Sequence, residues 1–181
     1  MSLQLNTPPA AEPVSLAEAK AHLKVDITDD DALIGTLISA ARSRAEWRTG
    51  RAFVTQGWTL WLDRWPADGC AEIPLPPLQS VVSVTHYARD DSATVLDTDD
   101  YQVAQGAPAG VILKSGAPLN LRAADAVAIA FTAGYGNAAA VPTLVRQAIL
   151  QIVAGLYANR GDDSIPPDAL ALLEPYRILK L

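Results

Sequence analysis

The chain has 181 residues, half of them hydrophobic and 19% charged, which fits one domain or one domain with an inserted module and excludes two independent enzyme domains. There is enough apolar surface to offset chain entropy and bury roughly 70% of the unfolded surface, so the sequence reads as globular and not disordered. The balance of 14 Lys+Arg against 20 Asp+Glu, a formal charge of −6, argues against a fold that grips phosphate backbones.

The N-terminal residues 1–14 have no basic start and no long apolar run, so they are expected to be a flexible Pro-rich arm, neither a signal peptide nor a membrane anchor. Order begins at Ser15, which forms a capping box with Glu18 and opens a helix over residues 15–23. Thr28, Asp29, Asp30 and Asp31 form a second capping signature, whose carboxylates also suit the positive end of a helix dipole. The helix that follows places Leu33, Ile34, Leu37, Ile38, Ala41 and Ala45 on one stripe and stops at Thr49-Gly50. Arg42, Arg44, Arg48 and Arg51 are the densest basic cluster. With Glu46 and the Asp29–Asp31 group nearby, they read as a solvated helix face.

Over residues 56–136 the period becomes alternating, which predicts an inserted β module. Strands are expected over residues 58–64, 81–89, 101–105, 111–114 and 126–132. Turns are expected at 68–69, 90–91, 106–110 and 115–118. Pro74, Pro76 and Pro77 remove ladder donors, so residues 73–78 are expected to be an extended edge segment. Helical period returns with Pro142 at the first helical position and Leu144, Val145, Ala148, Ile149, Ile152, Val153 and Leu156 on one broad face, ending at Gly161. A short helix over residues 167–173 precedes a tail, 175–181. The expected class is α+β: a helical bundle formed by the N- and C-terminal helices (residues 15–55 and 137–174) with an inserted β-strand module between them.

Reactive chemistry is sparsely represented. His22 and His86 lie far apart and lack zinc spacing, so no metal site is expected. The acidic triplet lacks an EF-hand's spaced ligands, and capping explains it better. Cys70, the lone cysteine, sits in a loop-rich stretch and reads as inert; it cannot form an internal disulfide, so a reducing cytoplasm is the default. No serine lies in a nucleophile elbow. Gly134 and Gly136 share two glycines with a phosphate-binding fingerprint, but the third is missing, and a tight turn out of a strand is the preferred account. Asp97, Asp99 and Asp100 read as loop-solvating acids. Trp58 shares a strand face with Leu60 and Leu62 and is assigned to the core; Trp61 points the other way and is open between a second core and a protein contact. No catalytic residue, cofactor site or metal site is assigned.

The order of these pieces resembles the head-to-tail connector, or adaptor, family of tailed bacteriophages and gene transfer agents. The residues that carry the resemblance are Ser15 to Val25, Asp30 to Ile34 with Leu37-Ile38, and Ala40-Ala41-Arg42 leading to Thr49-Gly50-Arg51. They continue with Leu62-Asp63-Arg64-Trp65-Pro66, Leu75-Pro76-Pro77-Leu78-Gln79-Ser80-Val81, Thr132-Ala133-Gly134-Tyr135-Gly136, Val141-Pro142 and Tyr157-Ala158-Asn159-Arg160. The resemblance implies a structural, non-catalytic role at the virion neck, in a ring commonly of twelve subunits beneath the portal, made in the bacterial host cytoplasm. Such a ring extends the DNA channel without sequence-specific binding and docks the next stopper or tail component; the isolated chain is expected to be monomeric, and no membrane is involved. A closed ring needs two unlike surface patches on each copy. The C-terminal tail, with Tyr176, Arg177, Ile178, Leu179 and Leu181, is the candidate portal contact, with folding back onto the helices as the alternative. Trp61 is the candidate surface aromatic. Two other readings compete: a tail terminator or stopper, and a small hydrolase or carbohydrate-binding module built on the tryptophans and acidic loops.

Overall fold

Ser15 opens the first helix of the computed structural model, which describes residues 1–106, 108–116, 120–159 and 164–178. The Glu18 amide donates to the Ser15 hydroxyl at 3.2 Å and the Ser15 amide donates to Glu18 Oε2 at 2.9 Å. Helix α1 (Leu16–Leu23) therefore carries the capping box that the sequence predicts. Helix α2 (Asp31–Thr49) stops on Gly50 at φ 71°, a left-handed conformation that favours glycine. Helices α3 (Thr143–Ala158) and α4 (Pro167–Leu173) follow late in the chain. Pro142 stands one residue before α3, and the expected stop at Gly161 lies outside the described residues.

By its internal packing the chain divides into two compact units: Pro9–Val54 with Tyr135–Leu181, and Met1–Pro8 with Thr55–Gly134. The first unit is helical. Ile34, Ile38, Ala41 and Ala45 of α2 share one apolar core with Val145, Ile149, Ile152 and Val153 of α3, Ala19 of α1, and Ala169 and Leu173 of α4. Each large aliphatic side chain removed from water there contributes about 1.5–3 kcal/mol, which is why neither amphipathic stripe is stable alone.

Two expectations about this unit are corrected. The start of α2 has no side-chain cap. Asp30 Oδ2 accepts instead from the Tyr157 hydroxyl of α3 at 2.5 Å, and Asp31 Oδ1 from Lys20 Nζ of α1 at 2.5 Å, because charge-assisted bonds to other helices outcompete a local cap. The basic cluster is not simply a solvated face either. Arg42 is buried; its Nε donates to Glu12 at 2.7 Å and its other arm to Glu46 at 2.6 Å, while Glu46 Oε1 accepts from the Phe53 amide at 2.8 Å. Burial alone would lower the guanidinium pKa, but the two carboxylates outweigh it and the net direction is upward.

The second unit holds two antiparallel sheets. The flexible arm expected over residues 1–14 is instead ordered at its start: β1 (Ser2–Thr7) pairs with β2 (Gln56–Leu62), with Ser2 opposite Trp61 and Leu5 opposite Trp58. A short polar segment carries little periodic signal, and its partner lies more than fifty residues away. The five-stranded sheet runs β1-β2-β8-β4-β5, with β4 (Leu78–Tyr87), β5 (Ala93–Val95) and β8 (Val127–Ala133). Leu60, Ile129 and Val84 face one another across β2, β8 and β4, and all three are fully buried. Beside them Leu62, Val127 and His86 form a second row on the same side, as the two-residue period of strands requires.

The smaller sheet runs β3-β7-β6, with β3 (Cys70–Ile73), β6 (Tyr101–Ala104) and β7 (Ala109–Leu113). A side chain at Gly110 would meet Cys70 Sγ at 2.8 Å and the Ala71 carbonyl oxygen at 3.2 Å, so glycine lets β7 approach β3 there without moving the Cys70 thiol or the β3 backbone. Among the expectations, β3 and β5 were missed, β2 begins two residues early, and the segment expected to be an extended edge, residues 73–78, is the link between the end of β3 at Ile73 and the start of β4 at Leu78.

Candidate interaction surfaces

Trp61 lies on the face of the five-stranded sheet opposite the Leu60 row, beside β1. Its indole Nε1 donates to Gln4 Oε1 at 3.2 Å, and its ring centroid is 5.8 Å from that of Tyr87 at a tilt of 33°. Arg122 Cζ sits 4.1 Å over the Tyr87 ring. That guanidinium is fixed in turn by the Asp125 carbonyl, at 3.0 and 2.6 Å, and by Asp91 at 3.3 Å. Trp61 is therefore half-buried in an aromatic and cationic ladder, not an open platform. Trp58 is also half-buried, in line with Phe131 across β8, while Trp65 is buried edge-on to His86 at 5.8 Å.

The described part of the tail folds back on its own helical unit. The Ile178 amide donates to the Thr49 carbonyl at 2.9 Å, Arg51 Nε donates to the Tyr176 carbonyl at 2.5 Å, and Ile178 Cδ1 stands 3.4 Å from where a side chain at Gly50 would begin. Arg177 donates to Glu174 at 3.3 Å. Leu179 and Leu181 lie outside the described residues.

The titratable residues weighed for chemistry are scattered. His22 is exposed in the last turn of α1, and His86 is buried in the sheet, where burial lowers its pKa. Burial, with Asp68 and Glu72 nearby, raises the Cys70 thiol pKa and disfavours the nucleophilic thiolate. Asp97 caps a 3-10 turn over Thr98–Asp100 by accepting from the Asp99 amide at 3.1 Å. Gly134 and Gly136 take φ of 123° and 128° in the turn out of β8. Among the described residues no three His, Cys, Asp or Glu side chains converge as a metal site would require, and no helix is long and apolar enough to cross a membrane.

A recess of about 610 Å³ in the helical unit is lined by Val14, Leu16, Gly35, Ile38, Ala138 and Ala139. At its edge Arg146 donates to Glu18 and, at 3.0 Å, to the Pro13 carbonyl. Bonds from the Ser15 amide and hydroxyl, with Arg146 nearby, lower the Glu18 pKa. The residue that the sequence reading passed over is Trp47. It stands 84% exposed on α2, opposite the core stripe. Counting the helical period from the exposed side as well as the buried side would have found it.

Comparison with known proteins decides the family. A family model described as phage gp6-like head-tail connector proteins matches residues 13–107, more than half of the chain. The chain belongs to this head-tail connector family. The match takes in α1 and α2 and runs through β6, so it draws on both units of the connector. The connector's fold is also that of solved chains that cover it completely and are themselves covered to 97%. One is in the neck of an empty gene transfer agent (GTA) particle computed with C6 symmetry (TM-score 0.86, 24% identity). Others are in the virion of a native GTA particle (TM-score 0.84, 25% identity) and in the neck of a native GTA particle computed with C12 symmetry (TM-score 0.81, 26% identity). No curated protein sequence matched.

Proposed function

We propose that this head-tail connector forms a ring of twelve copies beneath the portal of a phage-like particle, extends the DNA channel and docks the next neck or tail component. The observation that carries this reading is the end-to-end likeness to a chain from a native GTA neck computed with C12 symmetry. The family match, which rests on sequence alone, supports it independently. On this reading the virion neck is where the protein works, and its terminal helices form a bundle into which the β module is inserted. The tool is shape and surface, with no catalytic step. The net charge of −6 suits a conduit, since a lining that bound phosphates tightly would slow the passage of DNA.

The tail residues Tyr176, Arg177, Ile178, Leu179 and Leu181 are the proposed portal contact. Tyr176 and Ile178 are anchored on the end of α2, so this part of the contact is presented to a partner already ordered, which lowers the entropic cost of binding. The test is electron microscopy of particles made with and without the protein. A ring at the portal vertex that disappears with the gene, together with particles unable to join tails, is expected. Particles that join tails normally without the protein would refute the assignment.

A further inference from the structure

The side of α2 turned away from the core carries Leu33, Thr36, Ala40, Ser43 and Trp47, at spacings of three, four, three and four residues. None is charged. Leu33 and Trp47, at the two ends, are 40% and 84% exposed. The two hydroxyls between them are turned inward: Thr36 donates to the Ala32 carbonyl at 3.1 Å and Ser43 to the Ser39 carbonyl at 3.0 Å. The stripe thus offers a partner a nearly apolar strip about 21 Å long, at 1.5 Å per residue.

A second strip on α3 matches it. Leu144, Gln147, Gln151, Ala154 and Ala158 repeat the same three-four-three-four spacing away from the core, again with no charge. Leu144, Gln147 and Ala158 are exposed, while Gln151 and Ala154 between them are half-buried and the Gln151 side-chain oxygen is buried, so the strip is open chiefly at its two ends. The two strips therefore have equal length, and the spacing is the one at which helices interlock side by side. A single large ring at one end of the first strip is the kind of anchor that dominates interface energies.

We propose that the α2 strip of one copy packs on the α3 strip of the next, making the head-to-tail contact of the ring. This rests on the connector reading above. Copies that each carry −6 repel one another, and uncharged faces add no further repulsion where the copies touch. A cyclic ring also requires two unlike patches, one for each neighbour, and the two strips sit on different helices. A partner of opposite charge would instead select acidic surface.

The test places the photocrosslinker p-benzoylphenylalanine at position 43 of the full chain and irradiates assembled particles. The expected adduct joins two copies of the chain, the second through residues 143–158. An adduct with a different virion protein, or none in particles that contain the chain, overturns the proposal and leaves the connector reading intact. In parallel, Trp47→Ala is expected to melt like the unsubstituted chain, since the ring is exposed, yet to be recovered in particles at least about tenfold less, with Trp47→Phe restoring most of the recovery. Undiminished recovery of Trp47→Ala overturns the proposal. Absence of the unsubstituted chain from particles overturns the connector reading and the proposal together.

Discussion

The helical unit and the β unit are held together by different means. In the helical unit, Lys20 of α1 reaches Asp31 of α2, Tyr157 of α3 reaches Asp30 at the start of α2, and Arg42 ties α2 to Glu12 of the segment before α1 and to Glu46 one turn along. Gln151 Oε1 of α3 is the one buried side-chain polar atom there without a partner among the described residues. In the β unit the interior is apolar rows across strands, and three buried ring nitrogens, those of Trp58, Trp65 and His86, have no hydrogen-bond partner among the described residues. Long charged side chains on helices can vary their reach, whereas strand register fixes which residues face one another: Trp61 faces β1 and bonds Gln4, while Trp58 and His86 face the apolar rows. The helical unit is therefore specified by tethers as well as by its core, and the β unit by side-chain shape and register.

The contrast can be broken most directly at Phe131, buried in the central strand β8. Phe131→Ala is expected to cost about 4 kcal/mol, read as a lower urea midpoint by the fluorescence of Trp58, Trp61 and Trp65. A loss below about 1 kcal/mol would show that the rows are loosely packed and that shape does not specify this unit. Ile149→Ala in the helical core is expected to cost about 3 kcal/mol by circular dichroism.

Arg42→Ala probes the tethers. Removing it strands Glu12 and Glu46, and a cost of about 2 kcal/mol is expected, less than for a deeply buried pair because Glu12 stays partly exposed. If Arg42→Met is no worse than the unsubstituted protein, the tether contributes specificity and not stability. Ser15→Ala, which removes half of the capping box, is expected to cost about 1 kcal/mol in thermal or urea unfolding.

The smallest effect is in pH dependence. Burial lowers the folded-state pKa of His86 below its ordinary 6.5. The unfolded chain then binds the proton more readily, so the stability this group contributes is complete above pH 6.5 and falls as pH drops through that value toward the folded pKa. His86→Phe should flatten the stability profile in that window. An unchanged profile would show that His86 finds a partner for its proton inside the sheet.

How far the sequence could be read follows the same division. α1, with Ser15 and Glu18 three residues apart, and α2, with its apolar stripe and Gly50 stop, are local patterns, and both appear as expected. β1 was invisible because Ser2–Thr7 is polar and its order comes from β2, far along the chain. Asp30 and Asp31 looked like caps because capping is the local option; Tyr157 and Lys20 are not local. The sequence leaves Trp61 open between core and contact, and a half-buried ring against Tyr87 is a third answer that needs the strand order to be known. Trp47 went unremarked although its position relative to Ile34, Ile38 and Ala45 is fixed by helical geometry alone.

Gln56 faces Ala133 across β2 and β8, and the Gln79 amide donates to both Thr55, at 2.9 Å, and the Gly134 carbonyl, at 2.8 Å. A finished sheet therefore brings together the two ends of an excursion of about 80 residues. Without it, α2 and α3 would meet only by closing a loop of that length, at an entropic cost of about 4 kcal/mol. On the ribosome, at about 5–20 residues per second, α2 waits roughly 5–20 s for α3 to emerge. β8, the last strand, is made just before α3, so the sheet is the first part of the chain able to close the excursion.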